Sequence, residues 1–336
     1  MNIFVTGTAG FVGYHLAQRL LADGHTVTGY DAITDYYGPG LKRARHARLA
    51  KLARFRPVIA RLEDAEALRA AVAASSPEVI IHLAAQAGVR YSLDHAAEYV
   101  SSNLMGTLNL LEAATVAKPR HLLFASSSSV YGGNPGQPFA ETSRIGFPLS
   151  IYAATKAGAE ALSHAHAHLN QLPTTGFRFF TVYGPWGRPD MALFKFVDAI
   201  ERGQPIELYG GGQMKRDFTY VGDLVEAVVR LIDRPPIVGE PVGSADSLSP
   251  VAPWRVVNIA PGKPTGLLDF VSAIERAVGK PAQRKVLPMQ PGDVAETNAD
   301  TTLMHALIGD VPHTPLNDGV AAFVEWYRTE WRALQT

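Results

Sequence analysis

The chain contains no cysteine, has no excess of either charge and includes no long apolar run. The absence of cysteine excludes disulfides and thiolate sites, and it fits a reducing compartment. The 31 basic residues balance the 31 acidic residues, so the net charge gives no support to a nucleic-acid or membrane partner. No apolar stretch approaches the length of a membrane span, and the first residues lack the pattern of a secretion signal. We therefore predict a soluble, cytoplasmic protein.

A glycine-rich turn lies between the first predicted strand and the first predicted helix. Within the first 31 residues an apolar strand, three spaced glycines, a helix, a second strand and an acid follow one another. This order is typical of a dinucleotide-binding βαβ unit, in which Gly7 permits the turn, Gly10 lets the backbone approach a pyrophosphate and Gly13 allows close packing. The pyrophosphate would lie at the helix N-terminus. Asp31 would accept hydrogen bonds from the ribose and repel a 2′-phosphate, which favours NAD over NADP.

A basic helix is predicted from Leu41 onward. It carries six cationic residues: Lys42, Arg43, Arg45, Arg48, Lys51 and Arg54. One interpretation is a binding patch for a polyanion. A solvated helix face is favoured, because apolar residues at helical spacing supply an inward side; these are Leu41, Ala44, Leu49 and Leu52.

Strands and helices continue to alternate through the first half of the chain. Apolar strands are predicted at 58–60, 79–82, 121–125 and 174–181, with helices between them. Near-continuous apolar strands of this kind predict a parallel sheet covered on both faces, an α/β fold of the Rossmann-type, doubly wound class. We predict an NAD-binding domain over 1–180, with contributions from the later chain, and a smaller interleaved substrate lobe over 181–336.

Tyr152 and Lys156 lie four residues apart on a predicted helix and therefore share one face. A cation beside a phenol lowers its pKa, but a shift of roughly three pKa units needs about 4 kcal/mol and a second positive group, such as oxidised nicotinamide. An ordinary amphipathic helix explains this pair alone equally well. A serine loop at the end of the preceding strand favours chemistry, since Ser127 could bridge a substrate hydroxyl to the phenol.

Three histidines, His164, His166 and His168, lie close together on the same predicted helix. His164 and His168 share a face and could hold a metal ion. No third ligand is nearby in the sequence. We therefore predict exposed or packed helix residues and no metal site.

Together these features resemble the extended short-chain dehydrogenases/reductases, the group of nucleotide-sugar epimerases and dehydratases. The resemblance is closest to the UDP-glucuronate 4-epimerases and runs nearly from end to end. It depends on four segments in combination: 86–92, 126–132, 181–195 and 288–294. It implies reversible C4 epimerisation of UDP-glucuronate to UDP-galacturonate through a 4-keto sugar, with tightly bound NAD as a recycled oxidant. It also implies a homodimer that pairs through the helices containing Ser101 and Tyr152.

The resemblance assigns roles to individual residues. Catalysis would depend on Ser127, Tyr152 and Lys156, with the lysine stabilising the phenolate and anchoring the nicotinamide ribose. The NAD site would comprise Gly7, Gly10, Phe11, Val12, Gly13, Asp31, Leu62, Leu83, Ala84, Ala85, Gln86, Asn103, Tyr152, Lys156 and Phe180. The UDP-sugar would face Arg90, Ser127, Ser128, Ser129, Thr181, Arg188, Tyr209, Arg216 and Asp293.

One position departs from the family pattern. Arg61 stands where the family usually carries an acidic residue, immediately before the leucine that flanks adenine. In this chain that leucine is Leu62. The departure concerns the adenine contact and not the chemistry.

The substrate is predicted to be anionic at C6. By resemblance, Arg188 reaches the sugar pocket, where its guanidinium can bind a carboxylate bidentately. Arg90 is the second candidate for this task. The alternative is that Arg188 pairs with a structural acid such as Asp190.

Ser128 and Ser129 predict epimerisation without loss of carbon dioxide or water. Related dehydratases carry an Asp-Glu pair at these positions, and decarboxylases of the group typically carry a glutamate. Neutral hydroxyls here could hold the C6 carboxylate oxygens without repelling them while the ring turns.

Two other classes of function stay open. One is another enzyme on the same scaffold: an epimerase for UDP-glucose or a UDP-N-acetylhexosamine, a decarboxylase or a 4,6-dehydratase. The other is a non-catalytic, dinucleotide-binding regulator. The regulator is disfavoured, because it would not need Tyr152, Lys156 and Ser127 together.

Overall fold

A seven-stranded parallel sheet lies at the centre of the protein. The computed structural model describes residues 1–290, 292 and 294–335. In chain order the strands are β1 Asn2–Thr6, β2 Thr26–Asp31, β3 Phe55–Ile59, β4 Val79–His82, β5 His121–Ala125, β6 Thr174–Phe179, β7 Thr181–Tyr183, β8 Ile206–Tyr209, β9 Lys215–Arg216, β10 Phe218–Tyr220, β11 Trp254–Ile259, β12 Thr265–Gly266 and β13 Arg284–Leu287. The central sheet has the order β11-β6-β5-β4-β1-β2-β3.

Helices cover both faces of this sheet. They are α1 Phe11–Ala22, α2 Pro39–Ala50, α3 Ala65–Ser75, α4 Tyr91–Asp94, α5 Ala96–Tyr99, α6 Gly106–Ala117, α7 Ile151–Asn170, α8 Ala192–Glu201, α9 Val221–Leu231, α10 Leu267–Val278, α11 Thr302–Ile308 and α12 Leu316–Trp326. Short 3₁₀ turns span Ser128–Tyr131, Gly210–Gly212 and Arg332–Leu334, and π-helical turns span Val100–Met105 and Tyr327–Trp331. Within the described part of the chain, no helix is both long and apolar enough to cross a bilayer.

Alternate residues of the strands pack into two separate cores. Ile3 and Val5 belong to the core that contains α1 and α9, whereas Phe4 belongs to the core that contains α3 and α6. All three side chains are at most 1% exposed. Burial of an apolar side chain of this size stabilises the fold by about 1.5–3 kcal/mol. The predicted parallel sheet with apolar strands and two covered faces is confirmed.

The strand order reverses between β1 and β4, which are neighbours in the sheet although β2 and β3 lie between them in the chain. The loops that leave β1 and β4 therefore diverge and open a crevice at the carboxyl edge of the sheet. Ligands of open α/β sheets bind in such a crevice. The position of the candidate site follows from this topology.

The second half of the chain both extends the sheet and builds a smaller lobe. Strand β11 pairs in parallel with β6, so residues 254–259 complete the central sheet. Three two-stranded pairs, β7 with β10, β9 with β12, and β8 with β13, lie outside it. Helices α8, α10 and α12 pack together beside these pairs. A boundary at residue 180 stays a prediction.

The predicted helix over 96–116 contains a π-helical turn. Helix α5 continues through the π turn Val100–Met105 into α6. The sequence alone does not indicate this turn, because the hydrogen-bond shift leaves no mark on the apolar pattern. The π turn contains Asn103 and changes the direction in which its side chain points.

The expectation of a solvated basic face on α2 is wrong for two residues. Arg45 is fully buried and donates to the carbonyl oxygens of Ala9, at 3.0 Å, and of Trp186. Lys42 is buried too, and its Nζ donates to the Thr34 carbonyl oxygen at 2.8 Å. Helical spacing predicts an inward side from apolar residues only. It does not reveal that distant carbonyl groups accept hydrogen bonds from a buried guanidinium.

Candidate active site

A cleft of about 270 Å³ runs along the carboxyl edge of the central sheet. Of the residues predicted to bind the cofactor, Asn103 alone is absent from its lining. The predicted cofactor-binding residues that line it are Gly7, Gly10, Phe11, Val12, Gly13, Asp31, Leu62, Leu83, Ala84, Ala85, Gln86, Tyr152, Lys156 and Phe180. These predicted residues alone come from segments up to 173 positions apart, from Gly7 to Phe180.

The glycine loop has a conformation that side chains would obstruct. Gly7 has φ +81°, and a Cβ on it would lie 2.7 Å from the backbone nitrogen of Ala84. A Cβ on Gly13 would lie 2.0 Å from the Gly7 carbonyl oxygen. The loop leads directly into α1, whose first turn contains no acidic residue. An open helix N-terminus without a competing carboxylate fits a diphosphate, so the loop suits the dinucleotide predicted from the sequence.

Asp31 is fixed at the edge of the cleft by two backbone donors. Its Oδ2 accepts a hydrogen bond from the Ala9 N–H at 2.9 Å, and its Oδ1 accepts one from the Ile33 N–H at 2.8 Å. A carboxylate has about four acceptor sites, so capacity for ribose hydroxyls remains. Lys42 lines the same part of the cleft, and burial lowers its pKa to about 8 while Asp31 opposes that shift.

A carboxylate lies near the position where the family acid is missing. Leu62 is buried and lines the cleft, while the Arg61 side chain is 63% exposed. Glu63 also lines the cleft and accepts a hydrogen bond from Ser102 Oγ at 2.7 Å. Sequence reasoning missed Glu63, because it follows the leucine instead of preceding it.

Asn103 lies behind the wall of the cleft and holds Gln86 in place. Its Oδ1 accepts from the Gln86 N–H at 2.8 Å, and its Nδ2 donates to the Gln86 carbonyl at 3.1 Å and to Thr155 Oγ1 at 3.0 Å. The π turn aims this amide at both partners. Thr6 Oγ1 similarly accepts from the N–H groups of Leu83 and Ala84, both at 3.1 Å. The predicted direct contact of Asn103 with NAD remains a prediction.

Ser127, Tyr152 and Lys156 meet at the end of β5. Tyr152 is half-buried, and its burial raises the pKa of the phenol, while a hydrogen bond from Ser127 and the charge of Arg188 oppose the rise. Lys156 Nζ donates to the Ala125 carbonyl oxygen at 2.9 Å. Burial lowers the pKa of Lys156 to about 8. These directions describe the protein without a bound cation, so the lowering of the Tyr152 pKa by Lys156 together with a second positive group stays a prediction.

Arg188 lines the cleft, but its guanidinium is paired. Its Nε donates to Asp190 Oδ1 at 3.0 Å, a second nitrogen donates to the other oxygen, and Tyr36 donates to the same carboxylate at 2.9 Å. The structure thus shows the structural ion pair, which was the alternative to a substrate contact. An arginine that already forms a fork with a carboxylate has the right geometry to bind another one, if Asp190 is displaced.

Six further residues predicted to bind the sugar nucleotide are not part of the cleft lining: Arg90, Ser128, Ser129, Thr181, Tyr209 and Arg216. The Arg90 guanidinium stacks over the Tyr209 ring, 4.6 Å from its centroid, and Arg216 donates to the Ala295 carbonyl oxygen at 3.2 Å. Thr181 donates its N–H to the Asp217 carbonyl oxygen at 3.1 Å. Ser128 and Ser129 are half-buried beside Ser127. Asp293 lies outside the described residues.

The histidines of α7 have ordinary hydrogen-bond partners. His164 Nε2 lies 2.8 Å from Ser249 Oγ, and His168 Nδ1 lies 2.6 Å from the Val251 carbonyl oxygen. Among the residues that the structure describes, no group of three or more metal-ligating side chains is placed to hold an ion.

The fold and the cleft are those of a dinucleotide-dependent enzyme of the doubly wound class. Residues 3–241 match the NAD dependent epimerase/dehydratase family, and the chain belongs to that family. It is 53% identical to a probable UDP-glucuronate 4-epimerase of Rhizobium meliloti strain 1021, over 100% of this chain and 99% of the relative. It is 40% identical to UDP-glucuronate 4-epimerase 3 of Arabidopsis thaliana, over 97% of this chain and 76% of the relative.

A solved structure supports the same relationship. The UDP-glucuronic acid 4-epimerase of Bacillus cereus, in complex with UDP-glucuronic acid and NAD, superposes with a TM-score of 0.87. The two chains are 31% identical, and the match covers 98% of this chain and 99% of that one. The family and the Rossmann-type fold predicted from the sequence are confirmed.

Proposed function

We propose that this protein is an NAD-dependent epimerase that interconverts UDP-glucuronate and UDP-galacturonate at C4 through a 4-keto sugar. The observation that carries this proposal is the meeting of Ser127, Tyr152 and Lys156 at the end of the cleft that begins at the glycine loop. Proteins named for this activity match the chain nearly from end to end. The residues that line the cleft would hold NAD, which would supply a reversible acceptor for the hydride of C4.

The residues of this chain would control the proton and the charge. Tyr152 takes the proton of the C4 hydroxyl, with Ser127 bridging the two oxygens, and gives it back after the ring has turned. Lys156 stabilises the phenolate by its charge and holds the nicotinamide ribose. Because burial raises the pKa of Tyr152 in the protein alone, a bound positive charge is needed to bring the phenol into its working range.

The serine loop would prevent decarboxylation. A 4-keto glucuronate is a β-keto acid, which loses its carboxylate once the C5–C6 bond aligns with the ketone. Ser127, Ser128 and Ser129 offer neutral donors that hold the carboxylate out of this alignment. Of the acids that line the cleft, Asp31 ends β2 and Glu63 follows β3, at the other end of the sheet. They are thus separated from the serine loop by β1 and β4.

Arg188 would recognise the C6 carboxylate by exchanging partners. In the structure Asp190 occupies the guanidinium fork. A substrate carboxylate in the cleft presents the same planar pair of oxygens. Recognition by exchange would favour UDP-glucuronate over a neutral UDP-hexose, since only the anion can replace Asp190.

The test is NMR of the purified protein incubated with UDP-glucuronate, with UDP-glucose in a parallel sample. We expect UDP-galacturonate as the sole accumulating product, with only a trace of UDP-pentose, and slower conversion of UDP-glucose. A UDP-pentose or a 4-keto-6-deoxy sugar as the main product would replace this proposal with a decarboxylase or a dehydratase. No conversion of either substrate would support a regulator.

A homodimer remains part of the proposal. The π turn and α7 leave Val100, Met105 and Ile151 exposed, in the two helical segments through which the family resemblance predicts pairing. Light scattering of Met105→Glu tests this, with Val286→Glu as the matched control because Val286 is exposed elsewhere. A dimer that persists in both variants would contradict pairing through these helices. The predicted cytoplasmic location is tested by cell fractionation.

A further inference from the structure

The loop that carries Ser127 is tied to α7 by Lys156 and by two residues without an assigned role, Ser126 and Glu160. Ser126 Oγ donates to Glu160 Oε1 at 2.5 Å, and Lys156 Nζ donates to the Ala125 carbonyl oxygen at 2.9 Å. Lys156 and Glu160 follow Tyr152 at four-residue intervals, so the three side chains lie along one face of the helix. Residues 125–127 are thus attached to three successive turns of α7.

Glu160 is itself held by a buried arginine of the sheet. Arg178 Nε donates to Glu160 Oε1 at 2.9 Å, and its NH2 nitrogen donates to Oε2 at 2.8 Å. The remaining nitrogen donates to the Tyr131 hydroxyl and to the Glu141 carbonyl, both at 3.0 Å. Both members of the ion pair are only 3% exposed. This geometry leaves the carboxylate no freedom to follow the serine loop if the loop moves.

A buried ion pair of this kind is poorly explained by stability alone. Removing two charges from water costs several kcal/mol each, and apolar replacements are often at least as stable. A fixed position is what such a pair can supply. Here the fixed position is that of the Ser126 hydroxyl, one residue before the serine that reaches the Tyr152 phenol.

We propose that Glu160, fixed by Arg178, and Ser126 are positioning residues. They hold the serine loop in the position at which Ser127 reaches the Tyr152 phenol. This inference rests on the proposed function, because it concerns the same reaction. The hydrogen bond from Ser126 to Glu160 is called the tether below. Without it, Ser127 is no longer aligned with the phenol, and the serine hydroxyls no longer hold the C6 carboxylate. Both proton transfer and the suppression of decarboxylation should then suffer.

Ser126→Ala tests the tether, with Ser163→Ala as its matched control. Ser163 is a buried serine of the same helix whose hydroxyl donates to the Glu160 carbonyl oxygen and accepts from Trp254, away from the loop. With the NAD-loaded enzyme we expect Ser126→Ala to lower kcat about 10- to 100-fold, since small misplacements cost that much. KM should change far less, and the fraction of UDP-pentose should rise. Equal kcat and product ratio in the two variants would overturn the proposal.

Glu160→Gln provides a second, electrostatic readout. The groups that face the Lys156 ammonium are Glu160 and Tyr152 on its own helix and His82 on β4. The charge of Glu160 opposes the fall in the pKa of Lys156, so its removal should move the alkaline limb of the activity profile to lower pH. A merely structural role would lower the melting temperature and leave this limb in place, which would count against the proposal.

A third readout does not depend on turnover. Hydrogen exchange of the amides in segment 126–132 should be faster in Ser126→Ala than in the wild type and in Ser163→Ala. Unchanged protection would contradict the tether even if activity fell. If the wild type does not convert UDP-glucuronate, the proposed function fails, while the exchange data still decide whether the tether exists.

Discussion

The two halves of the cleft differ in how completely the fold assembles them. The cofactor half consists of Gly7 and residues 10–13 of the glycine loop, Asp31 and the exit of β4 at 83–86, and all these residues face one cavity. The substrate half consists of the segments around Arg90, Thr181, Arg188, Tyr209 and Arg216. Of these five residues, only Arg188 lines the same cavity.

The difference has a simple physical origin. The cofactor half is built from the carboxyl ends of neighbouring strands, and strand pairing alone brings them together. The polar groups of the substrate half come from loops and from short strands outside the central sheet. Two of them already have internal partners, Asp190 for Arg188 and the Tyr209 ring for Arg90. We therefore expect the cofactor half to be preformed and the substrate half to be completed by exchange of those partners.

The largest effect is expected where the halves meet, at Tyr152. Tyr152→Phe removes the base and leaves the glycine loop intact, so NAD should stay bound while turnover falls about 10²- to 10⁴-fold. Absorbance measures retained cofactor, and product analysis measures activity. Tyr220→Phe is the control, since Tyr220 is half-buried outside the cleft lining. Near-normal activity of Tyr152→Phe would end the proposed mechanism.

A smaller effect is expected at the arginine of the substrate half. Arg188→Lys keeps the charge but loses the bidentate fork, and kcat/KM for UDP-glucuronate should fall about 10- to 100-fold. The preference over UDP-glucose should fall with it. Arg90→Lys is the matched variant, because Arg90 is the second candidate. If Arg90→Lys loses the preference and Arg188→Lys keeps it, the exchange with Asp190 is wrong.

In the cofactor half, we expect a change of about tenfold in activation by NADP when Asp31 is replaced. Asp31→Asn removes the charge that would repel a 2′-phosphate, so NADP should activate the cofactor-depleted variant about tenfold better than it activates the wild type. Glu63→Gln controls for a general loss of negative charge in the cleft. Equal activation of the wild-type protein by NAD and NADP would mean that Asp31 does not face the ribose.

The mildest change is expected from pH. The pKa of Lys156 is lowered to about 8, so its ammonium is present below that value and is lost as the pH rises through it. The charge that stabilises the phenolate disappears with it, and kcat/KM should fall above about pH 8. Lys156→Arg, which keeps its charge, should show no such fall however low its activity. A wild-type profile that stays flat to about pH 10 would contradict a role for this ammonium.

The cofactor half was largely predictable, because its signals are local. Gly7, Gly13 and Asp31 stand at fixed distances along one βαβ unit, and the strands beside them are recognisable from apolar runs. The family resemblance added residues such as Leu83 and Phe180, which no spacing rule identifies. Leu83 and Phe180 line the cleft, whereas Asn103, which the resemblance also assigned to the NAD site, lies behind its wall.

The features that the sequence did not reveal depend on long-range partners. Nothing in the helical pattern of α2 shows that Arg45 would be buried against the Trp186 carbonyl group, 141 positions away. The π turn that aims Asn103 also leaves the apolar pattern unchanged. Whether Arg188 pairs with Asp190 or with a ligand is a competition between two carboxylates, and the sequence shows only one of them.

The most direct test of the proposed chemistry is to follow the hydrogen at C4. UDP-glucuronate deuterated at C4 should yield UDP-galacturonate that keeps its deuterium at C4 in ordinary water, because the hydride leaves and returns within one closed site. NMR and mass analysis of the product measure the retained label. UDP-galacturonate that has exchanged this deuterium for solvent hydrogen would contradict the proposal.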